Sequence, residues 1–434
     1  MDKMADVLGR AGAWCGQNKY LSAIKNAFQN FMPLTIAGAI GVLWCNVLVN
    51  DQTGLGLFFK PIMALDFLNP AFQAVNFCTI SCITVGITLG IAQEIGVWNM
   101  GAEKAGYIPG LVGLAAWLSV TNTSHMVEGA KDAFTGIAGN ELGATGLFTG
   151  MIIGVLSVEL FCFFEKQDAL KIKMPEQVPP GVARAFEVLV PATITLIITA
   201  CIGSACYNLT GLYLNDVIKN GIQGPLGAVG ATIPGVMIIY LVIMLFWLVG
   251  IHGNNMLSAV KEALFTPLAL ENVEKFNKGE KPTNIINMYA LQMWGEFGGS
   301  GVTIGLVIAI MIFGKREDNK AIATLSLVPG LFNINETVTF GVPMVLNPIL
   351  GIPFVVAPLI TIIIGYVLTV IGFCPVACLT VPWTTPPIVF GFLATGANVM
   401  GAVTQAILIV VSTVIYVPFL IAYEKYQNKQ AAEA

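Results

Sequence analysis

Four short stretches of this 434-residue sequence hold residue types that can do chemistry. Glu336 sits with Asn333 and Asn335 at the centre of an otherwise apolar run from Ser326 to Pro348. His252, one of two histidines, lies in Gly250-Ile-His-Gly-Asn-Asn255, beside Asn254 and Asn255. Glu296 lies in Trp294-Gly-Glu-Phe-Gly-Gly-Ser-Gly301, ahead of Gly299. Trp383 follows Pro382 and precedes Thr384 and Thr385. A carboxylate and an imidazole can hold or move a proton. Amides and threonine hydroxyls suit a ligand rich in hydroxyls, and an indole offers a flat face to the C–H side of a sugar ring.

Each stretch also has a purely structural reading. Asparagines cap half-helices, so residues 333, 335 and 336 could form a buried network that fixes a hairpin tip. Against that stands the cost of a carboxylate at membrane depth, which makes Glu336 a functional candidate by default. His252 either complements a helix dipole at the end of a span or acts as a hydrogen-bonding group in a polar pocket. The glycine-rich stretch fits neither a Walker pattern nor a dinucleotide fingerprint, and no strand precedes it. It reads as a turn lining a site, with Glu296 as a second carboxylate. Trp383 is either a membrane-interface anchor or a sugar platform. His125 reads as incidental, and Glu159 and Glu187 as scaffold pairs.

The elements that must position these residues are membrane helices. The chain is 56% hydrophobic and 11% charged, where soluble domains carry about 25% charged residues. Apolar stretches near 27–49, 72–93, 105–121, 143–164, 186–207 and 231–252 are close to the roughly 20 residues that a span needs. Beyond 252 the alternation fails. The run 301–313 is short, and Pro329, Gly330, Gly341, Pro343 and Pro348 break the stretch around Glu336. Proline removes a backbone donor, so this stretch predicts two half-helices meeting at a turn rather than one span. Further runs lie at 350–373 and 400–423, separated by a Pro-rich segment at 375–397. The fold expected is an all-α polytopic membrane protein of about ten transmembrane helices, with re-entrant hairpins in the C-terminal half.

Residues 1–22 read as an interfacial amphipathic helix. The composition changes at a polar linker near 166–181, and with the following span at 186–207 included the chain divides into an N-terminal membrane scaffold and dimerisation domain, 23–210, and a substrate-binding transport part, 211–434. With the N-terminus inside, only Lys60, Lys131 and Lys219 of the 21 basic residues fall outside, which places both termini in the cytoplasm. That count assigns 253–298 to a cytoplasmic loop. The start shows no cleavable signal peptide. No basic block suggests nucleic acid. The nine cysteines show no Cys-x-x-Cys pair, so neither metal nor disulfide chemistry is expected, and no cofactor is called for. The features describe a solute transporter without an ATP-binding domain. Its solute is expected to be polar and uncharged, since no basic residue lies in the four stretches.

Pro329-Gly-Leu-Phe-Asn-Ile-Asn-Glu336 followed by Phe340-Gly-Val-Pro-Met-Val-Leu-Asn-Pro348 resembles the signature of the sugar-specific IIC membrane components of the bacterial phosphoenolpyruvate-dependent phosphotransferase system. The branch is the lactose/cellobiose/N,N'-diacetylchitobiose one. Gly298-Gly-Ser-Gly-Val-Thr303, Val381-Pro-Trp-Thr-Thr-Pro386 and Phe31-Met-Pro-Leu34 fit the same branch. Thr337 departs from the pattern, where the family usually has proline. The resemblance implies a bacterial cell-membrane homodimer that takes up a β-linked disaccharide and moves it inward by a rigid-body motion. The sugar's 6-hydroxyl is then phosphorylated by a phosphocysteine on a separate IIB protein, itself charged by IIA. About a dozen residues follow the last span, too few for a IIB domain of the chain's own. Glu336 would hold the hydroxyl and act as general base, and His252 would share it or steady the phosphate. Asn333, Asn335, Asn254, Asn255, Glu296, Trp294, Gly299, Trp383 and Thr384 are the substrate-binding candidates. A proton-coupled disaccharide transporter, with Glu336 and His252 as proton relay, is the alternative.

Overall fold

The computed structural model describes residues 10, 13–14, 17–51, 55–125, 134–175 and 177–433. Most of the interfacial helix expected over 1–22, and Lys131, lie outside them. The regular structure of the described residues is helical apart from one antiparallel pair of two-residue strands, Ser124–His125 and Phe134–Thr135.

Among the described residues, five helices are long and apolar enough to cross a membrane: Lys19–Leu48, Ala144–Glu165, Pro180–Thr210, Gly351–Val370 and Val399–Gln430. The number rises to 7 when each of two bent pairs counts as one span, and shorter apolar helices lie at Ile108–Val120 and Ile233–Leu248. One bent pair, Met288–Val302 with Ile304–Phe313, turns by 59° at the glycine-rich stretch. The other breaks at Cys82, in a half of the chain whose sequence promises only regular spans.

The last long helix shows why lipid is its solvent. Val403, Ile407, Val410 and Val414 recur at three- and four-residue spacing, with Ile421 two turns further on, and are exposed, whereas Thr404, Leu408, Ser412, Tyr416 and Leu420 on the opposite face are buried. In water such an apolar outer face would drive association. In a bilayer it is the expected surface. Some hydroxyls inside the spans are satisfied locally. Thr195 and Thr199 each donate to a carbonyl one turn back, at 2.8 Å.

The chain forms two compact units. One holds Gln17–Gly38 and Ala74–Ala228. Its helices Ile83–Met100, Ile108–Val120 and Ala144–Glu165 pack on one another, and Pro180–Thr210 packs on the second and third. Ion pairs tie its polar ends, Glu159 to Lys19 at 2.6 Å and Glu187 to Arg184 at 2.7 Å. The other unit holds Ala39–Gln73 and Val229–Ala434. There Val399–Glu433 is the central helix, packed against Ile304–Phe313 and Gly351–Val370. Gly305 lets the first of these approach closely, since a Cβ would strike Ser412.

The segment 253–298 is not the simple loop expected. It contains the helices Ser258–Asn277 and Met288–Gly295. The first is too polar to register as a span, but it buries Lys261, Phe265 and Ala269. The start of the second is pinned by Asn287, whose Oδ1 accepts from the Tyr289 and Ala290 N–H groups at 3.0 and 3.1 Å. The helix Glu317–Leu331, which leads to the Glu336 tip, is capped from outside. Glu424 of the last helix accepts from the Lys315 and Arg316 N–H groups at 2.9 and 3.3 Å. At the same corner, the hydrogen bond from half-buried Arg316 holds the exposed Asp318 carboxyl below its ordinary range.

Candidate functional site

A cavity of about 490 Å³ opens within the second unit, and His252, Asn254, Asn255, Glu296, Asn333 and Glu336 are among its lining residues. Each is delivered by a break in a helix. After Ile233–Leu248 the chain reverses at Gly250, with φ +81°, and begins the short turn Gly253–Met256. Only glycine fits at 253, because a Cβ there would run into the Ile243 carbonyl. His252 is the N-cap of this turn, and its Nδ1 accepts from the Asn255 N–H at 3.2 Å. An accepting Nδ1 leaves the proton of the neutral ring on Nε2. Nε2 lies 3.7 Å from Glu336 Oε1. The Trp247 ring, 4.4 Å away between centroids, backs the imidazole.

Glu336 opens the helix Glu336–Gly341, one turn beyond the end of Glu317–Leu331. The carbonyls of Pro329 and Gly330 close the tip by accepting from Phe332, Asn333 and Ile334. Asn333 takes a left-handed φ of +63°, a conformation asparagine tolerates. Its Oδ1 accepts from the Gly298 N–H at 2.6 Å, and its Nδ2 donates to the Trp383 and Thr385 carbonyls. Asn335 donates to the Ser300 carbonyl at 2.8 Å. These amides clamp three segments together, and neither is left free to roam. The Glu336 carboxylate is 46% exposed and faces the cavity.

The glycine-rich stretch makes this clamp possible. Gly298, Gly299 and Gly301 all have positive φ. A Cβ on Gly299 would press on the Asn335 side chain, and one on Gly301 would enter the Phe354 ring. The Tyr416 hydroxyl holds the Gly301 carbonyl at 2.8 Å.

Glu296 is not a lone carboxylate. Its Oε1 accepts from the Tyr240 hydroxyl at 2.7 Å and from Lys261 Nζ. Lys261 is 6% exposed. This corrects one expectation: Lys261 lies in the helix Ser258–Asn277 rather than in a loop, and it reaches Glu296 from behind the cavity, whose described lining residues include no lysine or arginine. The pairing is physically required, because a buried carboxylate without a counter-charge or hydrogen bonds is expensive.

Of the eleven candidates, nine line the cavity, including Asn255, Gly299 and Trp383. Trp294 and Thr384 are not among its lining residues. Trp294 is 1% exposed and lies across Gly365, in the core. The cavity adds Gln292, Phe297, Ser300, Ile334, Phe390 and Gln405. Gln405 accepts from the Ile388 and Gly391 N–H groups at 2.7 and 2.8 Å and donates to the Met293 carbonyl at 3.2 Å. It thereby holds Ile388 at φ +76°, a conformation a β-branched residue rarely adopts. An amide in the middle of an apolar span was the one signal that could have revealed it.

Broken membrane helices around a polar cavity, with a carboxylate and an imidazole facing each other across its wall, define a polytopic membrane permease. The family described as "Phosphotransferase system, EIIC" matches residues 25–358. The chain is similar to the oligo-beta-mannoside-specific EIIC component of Bacillus subtilis (strain 168), at 33% identity over 98% of this chain and 94% of that one. It is 30% identical to the cellobiose-specific EIIC component of Lactococcus lactis subsp. lactis (strain IL1403), over 98% of each. The crystal structure of the transporter ChbC, the IIC component from the N,N'-diacetylchitobiose-specific phosphotransferase system, matches with a TM-score of 0.88 at 29% identity, covering 97% of both chains. The chain belongs to the EIIC family, in its lactose/cellobiose/chitobiose branch, and is a multi-pass sugar permease component of a phosphotransferase system.

Proposed function

We propose that the chain imports a β-linked disaccharide of the diacetylchitobiose/cellobiose type and presents its 6-hydroxyl for phosphorylation by a phosphocysteine on a separate IIB protein, recharged by IIA. The observation that carries this is the 3.7 Å approach of His252 Nε2 to Glu336 Oε1 at the wall of one cavity. A volume of about 490 Å³ falls within the roughly 300–1,000 Å³ of small-molecule sites. Glu336 takes the hydroxyl proton as O6 attacks phosphorus. The S–P bond breaks, and the IIB thiolate leaves. His252, with its proton on Nε2, donates to the hydroxyl or to a phosphoryl oxygen. Positioning and charge stabilisation carry most phosphoryl transfer; His252 caps its own turn, and the tip before Glu336 is closed by the Pro329 and Gly330 carbonyls.

Residues 23–210 act as the scaffold of a homodimer, and 211–434 as the part that carries the sugar. Both termini face the cytoplasm, where IIB docks. Support for the substrate class comes from the wall's amides, from half-exposed Trp383, and from the sugars named for the related permeases. The test uses the purified full-length chain with phospho-IIB and cellobiose, lactose or N,N'-diacetylchitobiose. The product expected is a disaccharide 6-phosphate, formed only with phospho-IIB and from the chitobiose or cellobiose probe first. Phosphate on any other hydroxyl, or none transferred, overturns the proposal.

A further inference from the structure

The amides around the cavity differ in one respect. Asn333, Asn335 and Gln405 are committed to backbone partners. Asn254 donates through Nδ2 to the Ser300 hydroxyl and leaves only its Oδ1 without a partner. Gln292 is committed to nothing: its Oε1 has no hydrogen-bond partner, and no described residue bonds its Nε2. Rotating the amide exchanges the two atoms without changing the shape, so one unpaired polar atom remains in either orientation. A partly buried amide left unpaired is a penalty the free protein carries unless something else binds it.

Its neighbour is Glu296, four residues on and at the end of the same helical turn, where the Glu296 N–H still bonds the Gln292 carbonyl at 3.2 Å. Residues four apart share a helix face, and both line the cavity. Tyr240 and Lys261 occupy Glu296 Oε1 and fix the carboxylate's orientation. No described residue donates to Oε2. The wall therefore presents two side chains next to each other, one an acceptor only, the other a donor and an acceptor. Two adjacent ring hydroxyls match that pattern, one donating to Glu296 and its neighbour exchanging a hydrogen bond with Gln292.

We infer that Gln292, beside the held carboxylate of Glu296, reads a pair of adjacent hydroxyls on the sugar and is a specificity-determining residue of this permease. This rests on the disaccharide reading of the cavity. A site built to bond a hydroxyl rejects an analogue lacking it far more strongly than an apolar pocket rejects a size change. Lys261 and Tyr240 act through Glu296 as positioning residues.

The test is equilibrium binding by the full-length chain in detergent. The probes are the tightest-bound of cellobiose, lactose and N,N'-diacetylchitobiose, and the monodeoxy analogues of that sugar. On the wild-type chain, removing either of two adjacent hydroxyls should weaken binding tenfold or more. In Gln292→Met, which keeps the volume and deletes the amide, the parent sugar should bind at least tenfold more weakly, and one of those two deoxy penalties should vanish. If Gln292→Met does not fold, Gln292→Ala is read the same way. Unchanged binding of the parent sugar, or deoxy penalties that persist undiminished in the variant, overturns the inference. If the wild-type chain binds none of the three disaccharides, the substrate reading itself falls.

Discussion

Replacing Glu336 by glutamine separates binding from transfer. The Glu336 side chain is 46% exposed to the cavity, and His252 Nε2, 38% exposed on its side chain, stands 3.7 Å away. The substitution keeps the shape and removes only the charge. A half-exposed carboxylate–imidazole contact of this kind is worth no more than an exposed ion pair, about 0–1 kcal/mol, or at most about fivefold in an equilibrium constant. Sugar affinity and thermal stability should therefore change little. The loss of a general base is a different matter, since such assistance is worth about a hundredfold to ten-thousandfold, or roughly 3–5 kcal/mol on the barrier. Single-turnover transfer from phospho-IIB, measured with binding on the same preparation, reads both quantities. The transfer rate should fall within that range while affinity stays within about fivefold of the wild-type chain. Normal turnover by Glu336→Gln would refute the general-base role. A collapse of affinity with an unchanged rate for bound sugar would make Glu336 a binding group only.

Other substitutions test the supports of the site. His252→Asn keeps an N-cap acceptor for the Asn255 N–H, whereas His252→Ala loses it at a cost of about 0.5–2 kcal/mol; thermal unfolding should separate the two, while phosphorylation falls in both. Lys261→Met leaves Glu296 without its counter-charge and should destabilise the chain by about 3–5 kcal/mol, with most of the loss recovered in Lys261→Met/Glu296→Gln; denaturation midpoints decide. Thr337 is exposed in the first turn of its helix, where proline is tolerated, so Thr337→Pro should add about 0.4–1 kcal/mol of stability and leave phosphorylation unchanged, read from melting and turnover.

Glu336 and His252 were legible in the sequence because polarity is expensive in an apolar run and both stand among helix breakers. Their meeting, 84 positions apart in the chain, is tertiary, and only the family resemblance paired them before the fold did. The Glu296–Lys261 pair was not legible at all. Lys261 lies in a stretch polar enough to read as a loop, and nothing local says that Ser258–Asn277 forms a helix that turns the lysine inward. Trp294 was read as a site residue because it adjoins the glycine motif. Its burial against Gly365 depends on how closely two distant helices approach. Gln405 escaped notice because a lone amide in a long apolar span gives a weak signal, although its three backbone hydrogen bonds make it a hub of the cavity wall.

The fate of imported sugar in membrane vesicles holding this chain is the most direct test of the function proposed. With phospho-IIB on the cytoplasmic face, labelled disaccharide should accumulate inside as its 6-phosphate, and without it no accumulation should occur. Accumulation of free, unphosphorylated sugar driven by a proton gradient alone would contradict the account and make Glu336 and His252 a proton relay.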